Sequence, residues 1–254
     1  MADPPSRLPD PLAALRQATS ARVALGRAGQ GLPTAPMLAF QLAHAKAQDA
    51  VYSALDLDAL QTALPGETIV VDSAAPDRAA YLQNPDLGRR LAPPATPLPA
   101  GSFDLAIVLA DGLSATAVQT HGPATAAALM ARLPDWRIAP FVIARQGRVA
   151  IGDPIGEAMN ARIALVLIGE RPGLSAADSL GAYLTFGPKP GRRDSERNCV
   201  SNIRAPGGLS PDQAADKIAW LLREARRLGF SGVDLKDRHG EAGIASTPTS
   251  PGLR

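Results

Sequence analysis

Three near-continuous apolar runs between residues 105 and 168 restrict the fold more than any other feature. The runs cover residues 105–109, 138–144 and 163–168, and helical patterns separate them. Unbroken apolar runs of this length are typical of parallel strands, because helices cover both faces of a parallel sheet. The pattern predicts an α/β fold with a doubly wound, mainly parallel sheet. Residues 182–186 and 199–203 are further strand candidates.

The chain divides by composition into four predicted parts. Residues 1–65 have helical spacing, including Met37, Phe40, Ala43, Ala47 and Val51 on one face of a helix that starts at Thr34. Residues 66–103 are rich in proline and predict an irregular connection. Residues 104–238 hold the apolar runs, and residues 239–254 predict a disordered tail. Within the core, His121-Gly-Pro123 predicts an interruption in the helix that follows residue 114.

The composition excludes several classes of protein. The single cysteine, Cys199, cannot form an internal disulfide, which favours a reducing, intracellular compartment. One cysteine and three dispersed histidines do not have zinc-cluster spacing, so we expect no metal site formed by the chain itself. The net charge of +2 argues against a nucleic-acid partner. The apolar runs are too short to span a membrane, and no secretory signal opens the sequence.

Carboxylates and glycines follow the apolar runs directly. Asp111-Gly112, Gly152-Asp153 and Gly169-Glu170 each stand where a run ends. Because ligands of α/β sheets bind at the carboxyl ends of the strands, these positions predict one site at that edge. The carboxylates could bind magnesium, act in acid–base catalysis or hydrogen-bond a polar ligand. Ordinary helix capping and turn formation, for example by Ser114, explain them equally well.

Motifs for other chemistries are absent from the sequence. It has no phosphate-binding G-x-x-x-x-G-K-[ST] loop and no G-x-S-x-G elbow of a serine hydrolase. Cys199 lacks a base nearby in the sequence, so a small buried hydrophobe is its simplest interpretation. A free-standing α/β enzyme that binds a nucleotide at the edge marked by Asp111 and Glu170 remains an alternative.

Seven segments together resemble the small (light) chain of ethanolamine ammonia-lyase, and they span most of the chain from about residue 12 to residue 234. The most specific is Leu167-Ile-Gly-Glu-Arg-Pro-Gly-Leu-Ser175, which Cys199-Val-Ser-Asn-Ile203 follows. The others are Leu25-Gly-Arg-Ala-Gly29, Leu32-Pro-Thr34, Phe40-Gln-Leu-Ala-His-Ala45, Ala110-Asp-Gly-Leu-Ser-Ala115 and Val149-Ala-Ile-Gly-Asp153.

The resemblance implies a function, a cofactor and a partner. It implies a Rossmann-like core that completes an adenosylcobalamin site at the interface with a large subunit, in a complex of six large–small pairs. The complex would convert ethanolamine to acetaldehyde and ammonia by a radical reaction. The resemblance also implies that the enzyme lies in a bacterial microcompartment, or in the cytoplasm where the host lacks shell proteins.

The resemblance assigns cofactor contacts to three residues. They are Val149 in the V-A-I-G-D segment, Glu170 in the G-E-R-P-G segment and Cys199 in the C-V-S-N-I segment. Asp111 and Ser114 are weaker candidates, by their position at the same edge. We expect no catalytic residue in this chain, because the cofactor carries the difficult chemistry.

Overall fold

The computed structural model describes residues 12–19, 21–93 and 97–236, so the predicted tail at 239–254 lies outside the described residues. The strands are β1 (Thr68–Asp72), β2 (Phe103–Ala110), β3 (Phe141–Arg145), β4 (Ala161–Gly169), β5 (Leu180–Phe186) and β6 (Arg197–Ile203). The α-helices are α1 (Ala13–Ala18), α2 (Thr34–Tyr52), α3 (Leu57–Ala63), α4 (Arg78–Gln83), α5 (Ala115–Ala131), α6 (Gly152–Ala158) and α7 (Pro211–Leu228).

The six strands form one mixed sheet in the order β1-β3-β2-β4-β5-β6. The first four are parallel to one another, whereas β5 and β6 run antiparallel to their neighbours. The α/β class is therefore confirmed, but the sheet is mixed, and the parallel arrangement holds only for the four strands β1 to β4. The chain reaches β5 and β6 without a crossover helix, and a connection of that kind returns the strand antiparallel.

Side chains of β2 show why its sequence is an unbroken apolar run. Leu105, Ile107 and Leu109 belong to the core on the side of α5 and α7, while Ala106 and Val108 belong to the core on the side of α6. Alternate residues of a strand point to opposite faces, and here both faces are buried. An apolar residue is therefore required at each position from 105 to 110.

Helix α5 is continuous from Ala115 to Ala131, so the predicted interruption at Pro123 is wrong. The helix packs between the sheet and α7, and Gly122 lets it approach β2 closely: an added Cβ would lie 3.0 Å from Leu109 Cδ2. The Thr125 hydroxyl donates to the His121 carbonyl at 2.7 Å. Burial of this helix outweighs the cost of an internal proline, about 3 kcal/mol.

The N-terminal part contains helices α1 to α3, as the spacing predicts. Leu60 and Leu64, from α3 and its C-terminal cap, enter the main core. The following segment 66–103 is not wholly irregular, because β1 and α4 lie within it. The β-branched run of β1 pairs with β3, whose edge would otherwise be open. Among the described residues, no helix has the length and apolar character needed to cross a membrane.

A buried ion pair joins α6 to β6. Asp153 and Arg197 are both 2% exposed in their side chains, and two guanidinium nitrogens donate to the carboxylate at 2.8 and 2.7 Å. Arg197 also donates to the Thr185 hydroxyl at 2.7 Å. The sequence places Asp153 at a strand end with the other edge carboxylates. That placement is wrong, because Asp153 follows a 3₁₀ turn (Val149–Ile151) and not a strand. Both oxygens of its carboxylate accept hydrogen bonds from Arg197.

Removal of this carboxylate should destabilise the fold strongly. Asp153→Ala leaves the Arg197 charge buried without its partner, and we expect the free energy of unfolding to fall by about 3–5 kcal/mol. The matched control is Asp72→Ala, because Asp72 also forms a two-bond pair with an arginine, Arg145, but is 50% exposed. We expect a loss below about 1 kcal/mol there. Urea titration measures both, and equal losses would contradict the account.

Candidate functional site

The carboxyl ends of the three central parallel strands lie side by side. Asp111 follows β2, residues 146–149 follow β3, and Glu170 follows β4. Val149 is not in a strand, as an apolar run would suggest, but in the 3₁₀ turn between β3 and α6. The structure therefore brings Asp111, Val149 and Glu170 to one edge, and it places Asp153 elsewhere.

Asp111 fixes the loop that follows β3. Asp111 is only 4% exposed. Its carboxylate accepts hydrogen bonds from the backbone N–H groups of Gln146 at 3.0 Å and Gly147 at 2.9 Å. Burial raises the pKa of Asp111, while these bonds and the Arg78 guanidinium at 3.8 Å act in the opposite direction. With its oxygens engaged in this way, Asp111 positions a loop and is not open to a ligand.

Ser114 is likewise occupied by its own chain. Its hydroxyl accepts from the Ala117 N–H at 3.2 Å as the N-cap of α5, and it donates to the Ala177 carbonyl at 2.9 Å. The residue is fully buried. The capping interpretation therefore accounts for Ser114.

Two glycines allow the ends of β2 and β4 to touch. Gly112 adopts a left-handed conformation with φ of +56°, and an added Cβ there would lie 2.2 Å from the Gly169 carbonyl oxygen. The next residue, Leu113, donates its N–H to that same oxygen at 2.9 Å. This close contact fixes the start of the Glu170 loop against the end of β2.

Glu170 connects the end of β4 to the antiparallel half of the sheet. Its carboxylate accepts from the hydroxyls of Ser179 at 2.6 Å and Ser201 at 2.5 Å, and from the Asn202 N–H at 3.3 Å. Glu170 is half-buried, as expected for a carboxylate after a buried strand, and unlike the buried Asp111 it also borders a cavity, so it can accept a further hydrogen bond. The bonds hold the Glu170 carboxylate close to β6, on which Cys199 lies.

Cys199 lies opposite Tyr183 in the β5–β6 pair, and the Tyr183 hydroxyl acts to lower the pKa of the thiol. Cys199 is exposed at the surface, so its interpretation as a buried hydrophobe is wrong for the isolated chain. The surrounding protein nevertheless desolvates the thiol and raises its pKa, and the Glu170 charge acts in the same direction. The thiol therefore remains protonated at neutral pH, which does not favour nucleophilic chemistry.

Two adjoining cavities bring the three predicted contact residues together. A cavity of about 310 Å³ is lined by Val149, Tyr183 and Cys199, and one of about 410 Å³ is lined by Val149, Tyr183 and Glu170. Both also include Arg148. We call the combined surface around these five residues the groove. Val149, Glu170 and Cys199 are distant in sequence but line this one groove.

Sequence reasoning missed Tyr183 and Arg148. Tyr183 lies within a predicted strand, and nothing in its spacing separates it from a core residue. Arg148 directly precedes Val149, so its position next to the V-A-I-G-D segment was the one sequence signal that could have identified it. Arg148 also stacks on the Tyr81 ring at 4.3 Å, with Arg78 over the same ring at 4.7 Å.

Tyr81 lines the larger of the two cavities and supports this stack. Its hydroxyl donates to the Gly147 carbonyl at 3.1 Å, and burial raises its pKa to about 12. The ring is therefore neutral at all ordinary pH values and keeps a fixed face for both guanidinium groups. Within the described residues, no cluster of three or more His, Cys, Asp or Glu side chains has the arrangement of a metal site.

Comparison with known proteins identifies the family. The family model of the ethanolamine ammonia-lyase light chain (EutC) matches residues 9–236. The chain belongs to this family. An ethanolamine ammonia-lyase small subunit from Azotobacter vinelandii is 50% identical, covering 99% of this chain and 97% of that protein. The Xanthomonas campestris pv. campestris small subunit is 51% identical, covering 93% and 91%.

Family membership fixes the coarse function. A small subunit from Ralstonia nicotianae is 49% identical over 90% of this chain and 88% of that protein, so the likeness extends over nearly full length in each case. The chain is thus the small subunit of an ammonia-lyase, which implies a larger partner subunit. The free-standing enzyme considered from sequence has no support in this assignment.

The effect of Tyr183 on Cys199 should be measurable through thiol reactivity. The Tyr183 hydroxyl lowers the pKa of Cys199, because a hydroxyl beside a thiol favours the thiolate, so Tyr183→Phe should raise that pKa further. The rate of iodoacetamide alkylation is measured as a function of pH. We expect the midpoint of this pH–rate profile to lie at higher pH in the variant. Tyr52→Phe is the control, since Tyr52 is 64% exposed and lies on α2. An unchanged or lowered midpoint would contradict the assignment.

Proposed function

We propose that this chain completes the adenosylcobalamin site of ethanolamine ammonia-lyase, at the interface with the large subunit. The observation that carries the proposal is the convergence of Val149, Glu170 and Cys199 on the groove. These residues come from three separate segments, and the resemblance to the family assigns a cofactor contact to each of them. Val149 and Glu170 follow the carboxyl ends of β3 and β4, where α/β proteins bind ligands, and Cys199 adjoins them from within β6.

The groove fits one side of a large, amide-rich cofactor. A corrin ring is too large for either cavity alone, and both cavities are open, so a second protein must cover the rest of the ligand. The walls combine an apolar side chain, Val149, with hydrogen-bonding groups of Glu170, Tyr183 and Arg148. Ligand sites typically have such a mixture of apolar lining and few polar groups.

Each residue has a distinct role in this proposal. Glu170 accepts hydrogen bonds from amide or hydroxyl groups of the cofactor, because Ser179 and Ser201 already hold its carboxylate in place. Val149 supplies apolar contact from a turn that Asp111 fixes through Gln146 and Gly147. Cys199 packs against the cofactor as a neutral thiol.

The chemistry of the reaction comes from the cofactor and the large subunit. When bound, adenosylcobalamin supplies the radical that starts the conversion of ethanolamine to acetaldehyde and ammonia. This chain orients the cofactor and shields one side of it from water. We assign no proton transfer and no nucleophile to its residues.

The finer structural and cellular assignments belong to the same proposal. The parallel strands β1 to β4, with helices on both faces, support a Rossmann-like doubly wound core within residues 104–238 and a strand contributed by the preceding segment. The complex would contain six large–small pairs. It would act in ethanolamine catabolism, inside a bacterial microcompartment or in the cytoplasm of hosts without shell proteins.

Reconstitution tests the proposal as a whole. The purified chain alone should not deaminate ethanolamine, whereas the chain mixed with the large subunit and adenosylcobalamin should do so. Activity of this chain by itself, or no gain when the three components are combined, would overturn the proposal.

Glu170→Ala tests the cofactor contact within the active complex. A lost hydrogen bond to a charged acceptor is worth about 1.5–3 kcal/mol, so we expect the apparent KM for adenosylcobalamin to rise about tenfold to hundredfold. Cys199→Ala, which changes packing only, should raise it less than about threefold. Glu157→Ala on α6 is the control, because Glu157 is exposed and outside the groove. A KM for adenosylcobalamin that Glu170→Ala leaves unchanged would count against the contact.

A further inference from the structure

Helix α2 presents its large apolar side chains away from the rest of the chain. Leu38 and Leu42 are each 58% exposed, and Tyr52 is 64% exposed. The side of the helix that faces the protein carries small residues: Ala50 is buried, and Pro36, Ala43 and Ala47 are partly buried. A surface helix normally has the opposite arrangement, with its large apolar residues toward the core.

This inverted helix is long and has few charges. It covers 19 residues, about 28 Å, and Lys46 and Asp49 are its only charged side chains. Leu38, Leu42 and Ala45 follow one another at spacings of four and three residues, so they form a continuous stripe on one face. A helix that binds a membrane surface is typically rich in lysine and arginine, which α2 is not. The stripe therefore fits a protein surface.

Both ends of α2 are attached to the edge of the sheet that carries the groove. At its C-terminal end, Arg78 donates to the Val51 carbonyl at 2.7 Å and to the Gly112 carbonyl at 2.9 Å. Near its start, the Phe40 ring lies 5.7 Å from the Arg22 guanidinium, which donates to the Leu174 carbonyl at 3.2 Å. Leu174 lies in the loop that begins at Glu170. These contacts hold the helix that carries the stripe beside the rim of the groove, while the stripe itself faces outward.

We propose that the stripe formed by Leu38, Leu42 and Ala45 is a docking surface for the large subunit. The inference rests on the proposed function, in which a larger subunit closes the groove. A partner that covers the groove must extend along its rim, and the rim leads directly to α2. One helix face is smaller than the roughly 800 Å² per partner of a standard interface, so docking on α2 requires that continuation.

The test measures association, and not catalysis, with a double variant of the stripe. The tagged large subunit of ethanolamine ammonia-lyase is immobilised, and the dissociation constants of wild-type chain, Leu38→Gln/Leu42→Gln and Val233→Ser are measured by interferometry. Val233 is the matched control: it is an apolar residue 60% exposed, in the loop after α7. Circular dichroism and thermal unfolding of the free chains check that each variant is folded, which we expect because the altered side chains are exposed.

We expect the double variant to raise the dissociation constant at least about tenfold, since central apolar anchors dominate such interfaces. Val233→Ser should change it less than about twofold. Equal affinity of the double variant and the wild type would overturn the proposal. So would a wild-type chain that does not bind the large subunit, or one that forms a homodimer which the double variant abolishes, because the occupant would then be a second copy.

A separate titration with adenosylcobalamin, followed by absorbance, distinguishes this proposal from the proposed function. A wild-type complex that forms through α2 but does not bind the cofactor would refute the cofactor role and leave the docking surface intact. A complex that binds the cofactor and assembles normally with the double variant would refute only the docking surface.

Discussion

The buried carboxylate of Asp111 holds the carboxyl edge of the sheet in the form that the groove requires. It accepts two backbone N–H groups from the loop after β3, and this loop leads directly to Arg148 and Val149. The contact between Gly112 and Gly169 then fixes the start of the Glu170 loop on the other side of β2. Glu170 extends the connection to β6 through Ser201. The three segments of the groove are thus linked by hydrogen bonds and close contacts within the chain.

The sequence predicted those strands whose local pattern is a direct result of burial. In β2 from residue 105 and in β4 from residue 163 the strands are buried on both faces, so an unbroken apolar run identifies them. The direction of β5 and β6 depends on the path of the connection and leaves no trace in their residues. Pro123 gave a local signal for a helix break, but packing of α5 against the sheet and α7 decided the outcome. A local signal in the sequence failed where tertiary contacts contributed more to the free energy of folding than the local preference did.

The candidate site was predicted in part, for a similar reason. A carboxylate after an apolar run marks a strand end, which placed Asp111 and Glu170 correctly, but the same pattern misplaced Asp153 because the run before it is a 3₁₀ turn. Val149 and Cys199 came from resemblance to the family and not from spacing. Tyr183 was missed because its strand pattern matches that of a core residue. Arg148 was missed because its stacking on Tyr81 joins positions 67 residues apart, which the sequence does not show.

Hydrogen exchange of the assembled enzyme tests the central claim most directly. Amide exchange of the complex with the large subunit is compared by mass spectrometry with and without adenosylcobalamin. The account predicts added protection in three separate peptides of this chain, those containing Arg148–Val149, Glu170–Arg171 and Cys199, and none at the distant C-terminal half of α7. Protection that is absent from all three peptides, while the cofactor is bound, would contradict the account.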